Sequence, residues 1–194
     1  METRELILTT AQKLFARFGV NKTTVDEIAA AAHMAKSTLY HHFRSKLDIF
    51  RAVIEREGQT LARRISAAVA AAASPEDQMR AYIVTRMRHL GELTNFYSAL
   101  KEEYLEHYSF IERVRERDFK DEMTILRRIL AEGNRKGTFR FQDGDIEITA
   151  VAVITALKGL EYPWIEAANM PDSTQHAEVL LRLLFHGILA EEPA

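Results

Sequence analysis

A band of polar and basic side chains at residues 36–46 has the clearest capacity for chemistry in this sequence. Its members supply hydrogen-bond donors, acceptors and positive charge: Lys36, Ser37, Thr38, Tyr40, His41, His42 and Lys46. Side chains of these types contact phosphate oxygens and the base edges of nucleic acids. The sequence lacks cysteine, a glycine-rich phosphate loop, an H-E-x-x-H motif and a G-x-S-x-G nucleophile elbow. The band therefore predicts recognition rather than catalysis.

Two short helices joined by a tight turn must position this band. On the second helix Leu39 and Phe43 lie four residues apart and form one buried stripe, which leaves the polar band exposed. The first helix buries Ile28, Ala29 and Ala32, and it begins with the capping box at residues 24–27. Such a pair favours insertion of the second helix into a DNA major groove.

The charge of the chain is divided unevenly along its length. The overall formal charge is −2, but residues 1–51 contain eight Lys and Arg against five Asp and Glu, a net of +3. The remainder has 18 basic and 23 acidic residues, a net of −5. Since phosphate attracts the first part and repels the second, only the N-terminal quarter is predicted to touch nucleic acid.

Composition restricts the other classes of protein. The chain has 194 residues, of which 47% are hydrophobic, and it has no signal-peptide core and no run of about 18 apolar residues. We expect a cytoplasmic protein with no membrane partner, no cofactor and no metal. His41 and His42 are not expected to share a metal ion, because adjacent helical residues point about 100° apart.

The periodicity predicts an all-α fold of about nine helices, with an N-terminal three-helix head that contains the helix-turn-helix and a helical-bundle body. The first helix should run from Thr3 to Phe18 and end at Gly19, with Leu6, Ile7, Ala11, Leu14, Phe15 and Phe18 facing the core. The later helices are expected from about residues 46, 75, 95, 109, 145 and 173. The run Thr138–Phe141 is the sole strand-like segment.

The head resembles that of the TetR family of bacterial transcriptional regulators over residues 4–50. The resemblance is carried by Ala11, Leu14-Phe15, Phe18-Gly19, Thr23-Thr24-Val25, Ile28-Ala29 and the run from Ser37 to Lys46. It implies that Tyr40 and His42 contact the DNA backbone and that Lys46 binds a phosphate. The predicted DNA-binding set is Thr24, Lys36, Ser37, Thr38, Tyr40, His41, His42 and Lys46.

Two positions in the turn depart from the family pattern. His33 stands where glycine is usual, and Ala35 stands where Ser or Thr often caps the next helix. His tolerates the left-handed conformation better than most non-glycine residues, so the turn should still form. The missing cap is expected to cost roughly 1 kcal/mol of local stability.

The rest of the chain is implied to be a regulatory body. We expect domains at 1–46, for DNA binding, and 47–194, for effector binding and dimerisation. The predicted eighth and ninth helices are apolar on more than one face, as a homodimer interface requires. An apolar effector pocket is predicted from aromatic residues and methionine: Phe96, Tyr97, Tyr104, Tyr108, Phe119, Met123, Tyr162 and Trp164.

The leading prediction is a dimeric repressor that a small-molecule effector releases from double-stranded operator DNA. Three alternatives stay open at this point. The same head would serve an activator or a ligand-independent regulator. Glu103 and His107, four apart on one helix face, would be the acid–base pair of a helical enzyme. A protein–protein adaptor is disfavoured, because the exposed face of the second helix of the motif is polar and basic.

Overall fold

The computed structural model describes residues 2–89, 95, 108–142, 144–166 and 173–188. These residues form eight helices: α1 (Thr3–Phe18), α2 (Val25–Ala31), α3 (Lys36–His42), α4 (Lys46–Ala71), α5 (Pro75–Arg88), α6 (Tyr108–Arg135), α7 (Asp145–Glu166) and α8 (Ser173–Ile188). The all-α prediction is confirmed. The count is eight rather than nine, and the helix predicted at 95–107 lies outside the described residues except for Asn95. α7 and α8 are the predicted eighth and ninth helices.

Local sequence explains where the helices begin. The Thr24 hydroxyl accepts a hydrogen bond from the Glu27 amide at 3.2 Å, while the Glu27 carboxylate accepts one from the Thr24 amide at 2.7 Å. This is the predicted capping box at α2. Ser74 caps α5 by accepting from the Asp77 amide at 3.0 Å, and Pro75 occupies the first helical position.

The chain divides into two compact units, with one boundary inside α4 and another inside α6. The first unit comprises Met1–Gln59 and Glu92–Val114. Its core is built by α1, α2, α3 and the first part of α4, and Phe15 meets Phe50 edge to face with 5.3 Å between ring centroids. Phe110 and Val114, from the start of α6, belong to the same buried cluster.

The second unit comprises Thr60–Gly91 and Arg115–Ala194. α5 packs against α8, where Arg80 Nη1 lies 2.6 Å from Glu178 Oε2 and the Arg80 guanidinium covers the Phe185 ring. Residues of α5, α6, α7 and α8 fill the interior: Met79, Ile83, Leu126, Ile129, Leu130, Ile154, Leu157 and Leu181. Helical periodicity had marked α6 and α7 correctly.

One core assignment was wrong. Phe18, expected to face the core of α1, is 48% exposed, and the Arg17 guanidinium lies 5.0 Å from the centroid of its ring. Phe18 is the last residue of α1, beyond the helix turn that Phe15 anchors. Ile7, Ala11 and Phe15 of the predicted face are buried and Leu6 and Leu14 are half-buried, while Leu8, which was not assigned to that face, is also buried.

Within the described part of the chain, none of the helices combines the length and the apolar character needed to span a lipid bilayer.

Candidate nucleic-acid interface

α3 presents a polar surface because two apolar residues hold its other face. Leu39 is 1% exposed and Phe43, just after the helix, is 6% exposed, so both are anchored in the core of the first unit. The Arg4 guanidinium covers the Phe43 ring at 5.2 Å. Lys36, Ser37, Tyr40, His41 and His42 are exposed and Thr38 is half-buried. The structure therefore brings six of the seven residues of the predicted band onto α3, whereas Lys46 begins α4.

The turn before α3 has the geometry expected of its unusual sequence. His33 adopts a left-handed conformation with φ of 55°, and it is the sole non-glycine residue with positive φ among those described. Its amide donates to the Ala30 carbonyl at 3.1 Å, and the Met34 amide donates to the Ala29 carbonyl at 2.9 Å. This pair of hydrogen bonds is a Schellman motif that ends α2. The same motif ends α6, where glycine occupies the equivalent position at Gly137.

The start of α3 lacks a side-chain cap, as the sequence predicted. Ala35 occupies the N-cap position and offers no side-chain oxygen to the free amides of the first turn. Among the amides of this turn, that of Thr38 donates to the Ala35 carbonyl at 2.9 Å.

Thr24 is exposed at the start of α2. Its hydroxyl takes part in the capping box and also donates to Glu27 Oε2 at 2.9 Å. The hydrogen bonds from the Thr24 amide and hydroxyl hold the pKa of the Glu27 carboxyl below its usual value. A phosphate at this position would therefore meet an ionised carboxylate next to the Thr24 hydroxyl.

Lys36 forms an ion pair that sequence reasoning missed. Its Nζ lies 2.8 Å from Asp26 Oδ1 on α2, and both side chains are more than half exposed. The hydrogen bond to Asp26, reinforced by its charge, raises the pKa of Lys36. The ten-residue separation hid this contact, because only the angle of the turn brings the two helices together. Lys36 must be shared between Asp26 and any base or phosphate.

Lys46 points toward the protein backbone. Its Nζ donates to the carbonyl oxygens of Val20 at 2.8 Å, Thr23 at 2.9 Å and Asn21 at 3.4 Å. These residues form the turn between α1 and α2. The sequence contained no signal for this contact, which joins residues more than 20 positions apart.

The two adjacent histidines stack edge to face on α3, with 5.4 Å between ring centroids. Across the residues that the structure describes, no group of three or more His, Cys, Asp or Glu side chains is placed to hold a metal ion. Both rings are exposed and available as hydrogen-bonding groups.

The predicted effector residues are only partly placed. Met123 is buried on α6, and the half-buried Phe119 ring lies 5.3 Å from Lys158 Nζ. For three of the others the structure describes the helix but not the side chain: Tyr108 begins α6, and Tyr162 and Trp164 lie on α7. Phe96, Tyr97 and Tyr104 lie outside the described residues altogether. Glu103 and His107 also lie outside them.

A buried polar cluster in the second unit was missed at the sequence level. Glu122 Oε2 accepts hydrogen bonds from Tyr82 Oη and Arg86 Nη1, each at 2.5 Å, and all three side chains are buried. The available signal was an arginine on the apolar face of α5, between Tyr82, Ile83 and Met87. A buried ion pair of this kind is a feature that a ligand with a polar group could exploit.

Comparison with known proteins places the head in a family. Residues 7–53 match the family described as "Bacterial regulatory proteins, tetR family". The chain is 47% identical over 55 residues to the HTH-type transcriptional repressor BepR of Brucella suis biovar 1 (strain 1330), a match that covers 28% of this chain and 26% of BepR. The chain thus matches only about a quarter of that relative.

Two longer matches extend the likeness beyond the head. The probable acrEF/envCD operon repressor of Escherichia coli (strain K12) is 23% identical over 171 residues, 85% of this chain and 77% of that protein. The structure of the SmeT–triclosan complex superposes with a TM-score of 0.78 at 19% identity, covering 100% of this chain and 99% of SmeT. At that identity the superposition shows a shared fold. The match at residues 7–53 therefore shows that the head of this chain is of the kind found in the TetR family of bacterial regulatory proteins.

Proposed function

We propose that the protein is a dimeric transcriptional repressor that binds operator DNA through α3 and leaves it when a small-molecule effector binds the body. The observation that carries this proposal is the polar face of α3, which points outward because Leu39 and Phe43 are buried on the other side. α3 also lies within the residues that match the family of bacterial regulatory proteins. We assign DNA binding to residues 1–46 and effector binding and dimerisation to residues 47–194, in the cytoplasm.

The proposed DNA contacts divide by chemistry. Lys36, Ser37 and Thr38 lie at the start of α3, the end that a recognition helix directs to base edges. Lys36 suits guanine, and the Thr38 methyl suits the methyl of thymine. Thr24, Tyr40 and His42 suit the phosphate backbone, and His41 extends the same exposed surface. Base contacts would set sequence preference, while phosphate contacts would set register and salt dependence.

An exposed apolar stripe on α7 supports dimerisation. Ile148, Val151 and Leu160 are large and exposed, and the small residues Ala152, Ala156 and Gly159 lie between them at helical spacing. A Cβ added at Gly159 would meet nothing within 4 Å. Exposed Val179 and Leu183 give α8 a similar face. A second copy that presents the same surface would cover these residues by two-fold symmetry.

Effector binding in the body is supported by its buried chemistry. Apolar residues next to the Tyr82–Arg86–Glu122 cluster in sequence, Ile83, Met87 and Met123, are buried as well, and side chains of this type suit a hydrophobic ligand. SmeT, which shares the fold, was solved with triclosan, a small organic molecule. We propose an apolar effector with at least one polar group, which changes the separation of the two heads and so weakens binding to paired half-sites.

A reporter assay separates repression from activation. A promoter that carries DNA selected by the protein is placed before a reporter gene, with and without the regulator. Repression predicts that expression rises when the regulator is deleted and that an effector found by thermal-shift screening reproduces the rise. Expression that falls on deletion would replace repression with activation.

A further inference from the structure

We infer that Lys46 is a positioning residue that fixes the turn between α1 and α2 against the first turn of α4. The inference starts from donor geometry. A lysine ammonium has three N–H groups, and the three carbonyls of Val20, Asn21 and Thr23 lie within 3.4 Å of Nζ. A phosphate oxygen at this nitrogen would have to displace one of these acceptors.

The turn itself requires such a partner. The Thr23 amide and hydroxyl both donate to the Gly19 carbonyl, at 3.3 and 2.8 Å, which folds residues 19–23 into a single tight loop. This arrangement directs the carbonyls of Val20 and Thr23 to Lys46 Nζ, where the hydrogen bonds are charge-assisted. Val20 and Thr23 are themselves buried, so loss of Lys46 would leave their carbonyls beside the core without this hydrogen-bond donor.

Charge at this position is also balanced from within the protein. The hydrogen bonds from Thr24 lower the pKa of the Glu27 carboxyl, and the positive charge of Lys46 lowers it further. Three carbonyl oxygens therefore accept from the cation before any DNA arrives, and the negative charge of Glu27 also acts on it. Lys46 acts on DNA binding through the placement of α2, and hence α3, relative to α4.

The chain contains no cysteine, so one introduced thiol can be modified uniquely. In Lys46→Cys, alkylation with 2-bromoethylamine restores an ammonium at the length of lysine. Alkylation with (2-bromoethyl)trimethylammonium restores the charge without any N–H donor. Comparing the two alkylated proteins separates the effect of hydrogen bonding by residue 46 from the effect of its charge. Lys22→Cys, in the same turn and exposed, receives the same reagents as the matched control.

Amide hydrogen exchange of the free protein tests positioning without DNA. Lys46→Cys should accelerate exchange at Thr23, Glu27 and Ile28 by at least about tenfold, while Phe43 exchanges as in the wild type. Alkylation with 2-bromoethylamine should restore the protection of these amides, whereas alkylation with (2-bromoethyl)trimethylammonium should not. The inference would be overturned if the unmodified Lys46→Cys variant and both of its alkylated forms kept wild-type protection, or if both reagents restored it.

DNA affinity as a function of salt gives the second readout, and this arm alone rests on the proposed function. Positioning predicts weaker binding with an unchanged salt slope, which only aminoethylation repairs. A phosphate contact predicts a slope smaller by about 0.9, repaired by both reagents, and that result would contradict the inference. If the wild type binds no DNA, the proposed function fails while the exchange measurement still decides the role of Lys46.

Discussion

Replacing Ile148 by aspartate should dissociate the proposed dimer. Ile148 is 71% exposed on the apolar stripe of α7, so a second copy would remove most of its side chain from water. Complete burial of an isoleucine is worth about 1.5–3 kcal/mol, so each copy would lose about 1–2 kcal/mol and the two-fold dimer about 2–4 kcal/mol. That loss raises the dimer dissociation constant by about 30- to 1,000-fold, before the cost of burying two carboxylates.

Sedimentation velocity over a range of protein concentrations measures this change directly. Thr124→Asp serves as the control, because it places the same charge on an exposed position of α6 beside Lys120 and Arg128. Circular dichroism should show that both variants keep their helices. The affinity of Ile148→Asp for DNA with two half-sites should fall toward its affinity for a single half-site. Thr124→Asp should bind each of these DNAs with the affinity of the wild type.

The reasoning fails if Ile148→Asp sediments as the wild type does at every concentration. A wild type that is monomeric at concentrations far above those of the DNA-binding assay would also refute the proposed interface. A reduced melting temperature without any change in association would assign Ile148 to a different role.

Four further predictions concern the head and the body. The double variant His33→Gly, Ala35→Ser should raise the free energy of unfolding by about 1–2 kcal/mol, since it relieves a left-handed histidine and adds an N-cap; an unchanged thermal midpoint would contradict this. Asp26→Asn should strengthen DNA binding by up to about fivefold, because it releases Lys36 and removes a negative charge, whereas Lys36→Ala should mainly relax base preference; in fluorescence anisotropy, equal losses on all sequences would count against the Lys36 assignment. Burial raises the pKa of Asp118, so its ionisation disfavours the folded state once the pH exceeds the unfolded value. Asp118→Asn should therefore raise the melting temperature at pH 7, and the gain should shrink toward pH 4; a gain that grows on acidification would show the opposite sign.

The sequence predicted local structure well where the information is local. The capping box at Thr24, the proline start of α5 and the end of α1 at Gly19 depend on residues within one or two helical turns of each other. The left-handed turn at His33 was also predictable, since the family pattern places glycine there.

Contacts between distant segments could not be predicted in the same way. Periodicity shows that Phe110 faces a core, but it does not reveal that this core is the one containing Phe15 and Phe50, or that the Arg51 guanidinium covers the Phe110 ring at 5.4 Å. The direction of the Lys46 side chain and the Asp26–Lys36 ion pair depend on the crossing of helices. Those angles are set by packing, which a single sequence does not display.

The error at Phe18 has a physical cause. Its spacing from Phe15 and Leu14 fits an apolar stripe, but α1 ends at Phe18 and the chain turns away at Gly19, where φ is 80°. At the last residue of a helix, the chain that follows leaves the helix axis, so no further turn of the helix continues the apolar stripe against the core. Periodicity alone cannot distinguish that position from an interior one.

Selection of bound DNA from a random pool at physiological salt tests the central claim most directly. A two-fold reader of DNA predicts enrichment of an inverted repeat, with half-sites about one helical turn or a multiple of it apart, and occupancy by two chains per site or a multiple of two. Mutating one half-site should reduce the affinity sharply. A pool that shows no enriched sequence, or binding that disappears at physiological salt without sequence preference, would contradict the assignment of α3 as a recognition helix.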